Sequence, residues 1–162
     1  MTNTEFNQCV ELHSDGLYRF LLKSFQNYRE DAEDTVQNAF VTLWQNVEKV
    51  EFSKAKSYLF TVAYRDMIDH TRKMKRVEKM ETKHERISGS HKSYSGLKEI
   101  LDEALEKLPE IQKTVVMLRD YEGYDYDKIG EITGLNTSQV KVYIFRARQT
   151  LKNYLVSVEK LI

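Results

Sequence analysis

The side chains best placed to do chemistry in this chain are cations on one helix-forming run. Between residues 137 and 162, Lys141, Arg146, Arg148, Lys152 and Lys160 face a single acid, Glu159. Ammonium and guanidinium groups at helical spacing bind phosphate oxygens, and arginine also reads a guanine edge through two parallel hydrogen bonds. The chemistry on offer is binding rather than bond-making. Other reactive patterns are thin: Glu81-Thr82-Lys83-His84 has the Glu-x-x-His spacing of di-iron bundles, yet the sequence carries no second copy. It also lacks a Gly-rich phosphate loop, a serine nucleophile elbow and zinc-type Cys/His spacing, so no catalytic residue, metal or cofactor is expected. The single Cys9 excludes an intramolecular disulfide and fits a reducing compartment.

The elements that must position those cations are marked by turn and cap residues. Asp125 to Thr133 suits a short helix, Gly134-Leu135-Asn136 a tight turn and Thr137 to Tyr154 a long second helix. Asn136 with Gln139 forms a capping-box pattern that sets the start of the second helix. Val140, Ile144, Ala147 and Leu151 recur as its buried stripe. A basic helix packed on a shorter one is a helix-turn-helix, which suits the DNA major groove. Upstream, Leu97, Ile100, Leu101, Ala104, Leu105 and Leu108 follow one helical face. Pro109 is expected at the first position of the next helix, which ends near Tyr121-Glu122-Gly123 with Gly123 as its cap.

The first half reads as three more helices. Glu5 to Gln26 is helical with a break at Ser14-Asp15-Gly16, and turns Phe6, Val10, Leu17, Phe20 and Leu21 inward. After a polar turn at 27–30, Asp31 to Val47 puts Val36, Phe40, Leu43 and Val47 on one face, with acids at its start where the helix dipole favours them. A third helix from about Lys54 buries Leu59, Val62, Ala63 and Met67, then turns basic through Arg72, Lys73, Lys75, Arg76, Lys79, Lys83 and Arg86. Ile87 to Ser95 is the one linker-like stretch. With one proline and six glycines in 162 residues, the expected fold is all-α: two small helical domains, 1–86 and 96–162, joined by a flexible linker at 87–95.

Whole-chain charge hides this organisation, because 25 basic and 25 acidic side chains sum to zero. By segment the chain is acidic (4 against 9 over 1–52), basic (11 against 5 over 53–92), acidic (5 against 10 over 93–136) and basic again (5 against 1 over 137–162). No stretch approaches a membrane span, and the acidic start is unlike a signal peptide, so a soluble cytoplasmic protein without membrane insertion is expected.

Asp31-Ala32-Glu33-Asp34-Thr35-Val36-Gln37-Asn38-Ala39-Phe40 followed by Leu43-Trp44 resembles the second conserved region of bacterial sigma factors of the extracytoplasmic-function (ECF) group. Leu108-Pro109-Glu110, Tyr121-Glu122-Gly123, Ile129-Gly130-Glu131-Ile132 and Val140-Lys141 to Arg146-Ala147-Arg148 resemble that group's fourth region in order and spacing. The likeness spans residues 5 to 156. It implies a protein that binds core RNA polymerase, brings it to promoter DNA and helps to open it, without catalysis of its own.

The resemblance also implies roles for residues. Asp34, Gln37 and Asn38 would dock on core polymerase. Tyr58, Tyr64, Arg65, Asp69, Arg72, Lys73 and Arg76 would meet the downstream element and the melted strand, where aromatics stack on bases and cations follow phosphates. For Tyr58 and Tyr64 simple packing stands as the alternative. Lys141, Val142, Phe145 and Arg146 would face the upstream element, with Thr137, Ser138 and Gln139 near phosphate at the helix N-terminus. Arg148 is open between a DNA contact and an ion pair with acids of the short first helix. Family positions are replaced at Tyr58 and Arg65 and across Gln139-Val140-Lys141-Val142-Tyr143, so promoter preference does not transfer. The two-domain pattern implies control by a separate anti-sigma protein. A duplex-binding regulator that works without polymerase is the runner-up, and a helical metal-dependent enzyme a weak third.

Overall fold

The computed structural model describes residues 1–26, 28–80 and 96–160, and among these it is helix and connecting turn. The first helix, α1 (Asn3–Ser24), opens on a capping box: Thr2 Oγ1 accepts from the Glu5 N–H at 3.1 Å, and the Glu5 carboxylate accepts from the Thr2 N–H at 3.0 Å. The expected break at Ser14-Asp15-Gly16 does not occur. The Ser14 hydroxyl donates to the Val10 carbonyl inside the helix, and Gly16 lies where an added Cβ would come within 3.2 Å of Glu122. That glycine serves a close approach, not a helix end. Leu17, Phe20 and Leu21 are buried as expected and Phe6 partly so, whereas Val10 is left exposed.

Helix α2 (Arg29–Gln45) starts two residues earlier than Asp31 and stops short of Val47. Its buried line is Ala32, Thr35, Ala39 and Leu43, with Val36 and Phe40 only half-buried. Small residues face inward because α2 packs closely against α1 and the next helix. A short 3-10 turn (Phe52–Lys54) leads into α3 (Ala55–Met80), which buries Ala55, Leu59, Phe60, Ala63 and Met67 and half-buries Val62.

The second half holds α4 (Leu97–Glu106), α5 (Glu110–Val116), α6 (Tyr126–Thr133) and α7 (Thr137–Glu159). Leu97, expected on the buried face, is 67% exposed at the start of α4, while Ala104, Leu105 and Leu108 are buried. Pro109 sits one position before the first helical residue, its ψ of 146° being extended rather than helical. Beyond Val116 the helix widens into a π-type turn (Met117–Tyr121), where the Glu122 N–H donates to Met117 O at 3.1 Å. Gly123 at φ +74° then ends the run, as its cap role requires.

The two helical domains do not keep separate cores. Their interiors run together, with Phe20, Phe60 and Met67 in one apolar cluster with Leu105, Met117 and Ile129. Each such side chain contributes roughly 1.5–3 kcal/mol by leaving water. The expected linker at 87–95, Lys83, Arg86 and the Glu81 to His84 spacing lie outside the described residues. No described helix is long and apolar enough to cross a membrane.

Candidate nucleic-acid interface

The α6–turn–α7 unit is built by local chemistry. Asp125 caps α6 by accepting from the Lys128 N–H at 2.8 Å, and Gly134 at φ +80° ends it. The turn folds back directly over Gly130, where an added Cβ would lie 2.7 Å from the Leu135 carbonyl oxygen. Asn136 then starts α7 with the expected capping box: its side chain accepts from the Gln139 N–H at 2.8 Å and its own N–H donates to Gln139 Oε1 at 3.0 Å.

The two faces of α7 separate cleanly. Val140, Ile144 and Ala147 are buried and Leu151 half-buried, so the helix is fixed in rotation. Ser138, Lys141, Val142, Phe145 and Arg146 share the opposite, exposed strip. Phe145 is 69% exposed and Val142 45%, so the strip presents apolar as well as cationic side chains. Arg146 forms no ion pair among the described residues, and Lys141 Nζ lies 5.9 Å above the Tyr126 ring. Two N-terminal residues are already engaged: Thr137 Oγ1 donates to Asp127 Oδ1 at 3.0 Å, and Gln139 serves the cap. Arg148 has a structural partner, but not in the short first helix. It grips Asp120 in the π-type turn.

The outer face of α3 forms a second strip. Tyr58, Arg65, Asp69, Arg72 and Arg76 fall at i, i+7, i+11, i+14 and i+18, and all but the half-buried Tyr58 are exposed, with Lys73 beside them. Tyr64 does not join that line. It sits in a cleft of about 180 Å³ with Met67, Glu110, Ile111 and Lys113, where burial, and then the Glu110 charge, push its hydroxyl pKa up. On α2, Asp34, Gln37 and Asn38 are exposed on one face. Sequence reasoning missed its continuation through Val41 and Trp44, 53% and 49% exposed, although the spacing from Asp34 was there to find them. Trp44 is steadied edge-on by Phe6 at 5.0 Å. Among the described residues no group of His, Cys, Asp and Glu could hold a metal ion.

Two family models match these halves: Sigma-70 region 2 over residues 9–77 and Sigma-70, region 4 over residues 98–151. The chain is 31% identical over 145 residues to the RNA polymerase sigma factor SigV of Bacillus subtilis, covering 89% of this chain and 87% of that one. It is 28% identical over 160 residues to the ECF RNA polymerase sigma factor SigE of Mycolicibacterium smegmatis, covering 93% of this chain and 61% of that one. The chain belongs to the ECF group of RNA polymerase sigma factors. Its fold is shared with the sigma factor RpoE of Bartonella quintana, solved with the anti-sigma factor NepR, at a TM-score of 0.79 and 24% identity over 94% of this chain and 97% of that one. The protein is thus an alternative sigma factor that directs RNA polymerase to promoters, a regulatory family rather than one of catalytic enzymes. Region 2 corresponds to α1 through α3 and region 4 to α4 through α7. Membership accounts for the first half, which a duplex-only regulator leaves without a role.

Proposed function

We propose a residue-level division of labour within this sigma factor. Asp34, Gln37 and Asn38, extended by Val41 and Trp44, dock core RNA polymerase. The Asp34 carboxylate suits a basic partner, and the apolar end at Val41 and Trp44 supplies the buried area that an interface core needs. Tyr58, Arg65, Asp69, Arg72, Lys73 and Arg76, with Tyr64 behind them, take the downstream element and the melted strand. Lys141, Val142, Phe145 and Arg146 read the upstream element in the major groove, with Thr137, Ser138 and Gln139 near its phosphates. The functional units are residues 1–86 and 96–162 with the linker at 87–95. The protein does no chemistry itself, works in the cytoplasm and is held in check by an anti-sigma protein.

The observation that carries this reading is the presence of two exposed cationic strips, one on α3 and one on α7, in different halves of the chain. A regulator that only gripped duplex would need one. The test mixes the purified protein with core polymerase and promoter DNA, with Arg65→Ala/Arg72→Ala beside the parent. The parent is expected to initiate at a defined start, and the double variant to bind core normally while opening DNA poorly. Normal opening by the double variant would remove α3 from the assignment.

A further inference from the structure

Helices α1 and α4 and the π-type turn surround an open cleft of about 380 Å³ that none of the roles above uses. Its floor is made by the buried Phe20 and Met117, with the half-buried Leu101 beside them. Its mouth carries Leu97 and Tyr121, two large side chains that the core leaves more than half exposed. Met117, Tyr121 and Glu122 all come from the π-type turn or its end, a backbone form that recurs at functional sites. The volume is at the lower end of the roughly 300–1,000 Å³ of small-molecule sites. One turn of an α-helix, roughly 10 Å across and 5.4 Å tall, already fills more than that, so the cleft suits a small molecule rather than a partner helix.

The charges around it are unevenly engaged. Lys23 already has partners: its ammonium pairs with Asp102 at 2.5 Å and lies 5.1 Å from the centre of the Tyr121 ring. Burial raises the Glu122 pKa, which favours the neutral carboxyl and weakens it as a counter-ion. Arg19 and Lys98, both exposed, form no ion pair among the described residues. An apolar floor with two such cations at its edge complements a molecule that has an apolar body and one anionic head. We propose that the cleft is a binding site for a small amphipathic anion, a medium-chain aliphatic carboxylate whose tail lies on Phe20, Leu101 and Met117 and whose head meets Arg19 and Lys98. The site would give this sigma factor a small-molecule input separate from its polymerase and DNA surfaces.

The test uses the full chain and three probes that share one tail, decanoate, decanol and decyltrimethylammonium, each below its micelle or solubility limit, in titration calorimetry. Decanoate should bind once per chain and about ten-fold tighter than decanol, and the cationic probe should not bind. Lys98→Ala should weaken decanoate about ten-fold and leave decanol unchanged. Leu97→Asp, at an exposed position where folding is not at stake, should remove binding of both by setting a carboxylate in the apolar mouth. Circular dichroism and duplex affinity at parent values show that each variant is folded. Equal affinity for decanoate and decanol would overturn the anion assignment, and no saturable binding of decanoate would remove the site altogether. Saturable binding indifferent to both substitutions would put the ligand elsewhere on the chain. A parent that is dimeric until decanoate is added would give the cleft to a second copy of the chain instead.

Discussion

The Arg148 guanidinium holds the Asp120 carboxylate through two hydrogen bonds, 2.6 and 3.2 Å long, and so ties α7 to the wide turn that ends α5. Both side chains are close to half exposed, which limits the pair to about 1 kcal/mol or less. Its use is to hold the angle of the reading helix. Arg148→Ala and Asp120→Ala should each cost about 0.5–1 kcal/mol in denaturant unfolding, and the double variant little more than either. Duplex affinity should fall in both, although Arg148 is off the reading strip. Strictly additive losses would mean that the pair does not couple.

Arg146→Ala should weaken binding to the upstream element by about 1–3 kcal/mol, or about five- to 150-fold, while core binding stays at the parent value. Competition gel shifts with single-base substitutions check this, since loss of a bidentate contact should relax preference at one base pair. A uniform loss over all sequences would turn Arg146 into a phosphate contact.

Gly130→Ala should destabilise region 4 by about 1–3 kcal/mol, because the new methyl group would lie 2.7 Å from the Leu135 carbonyl oxygen and neither backbone segment can yield freely. Thermal unfolding followed by circular dichroism reads this directly. An unchanged midpoint would show that the turn can shift at no cost.

His13 makes stability depend on pH near neutrality. Burial, and then the nearby Lys56 charge, hold its pKa below the ordinary 6.5. The unfolded chain therefore binds the proton more tightly, so the contribution is complete above pH 6.5 and is lost as pH falls through the depressed value. Glu122 works in the opposite direction, since burial raises its pKa, and only a comparison of variants isolates the histidine. His13→Gln should flatten the decline of unfolding free energy between about pH 7 and pH 5. An identical slope in parent and variant would clear His13 of the effect.

What could be read from the sequence was what is locally determined. The capping box at Asn136, the left-handed Gly123 and the buried stripe of α7 depend on residues within one or two turns of each other, and all stand where the pattern put them. The misses have the opposite character. Gly16 looks like a helix break until Glu122, more than a hundred residues away, is set against it, and Leu97 looks like core until its neighbours are known. Arg148 showed a cation in need of an acid, but only the π-type turn brings Asp120 to it. Tyr64 belonged by residue type with the strand-binding group, but it falls off their line on α3 and sits in a cleft shared with Glu110, Ile111 and Lys113.

The separation of faces on α7 has an engineering consequence. Register, tilt and starting point are set by Asn136, Gln139, Val140, Ile144, Ala147 and Arg148, none of which shares the outward strip. A library randomised at Ser138, Lys141, Val142, Phe145 and Arg146 alone leaves those anchors intact, so orthogonal promoter specificities become a matter of selection on a constant scaffold.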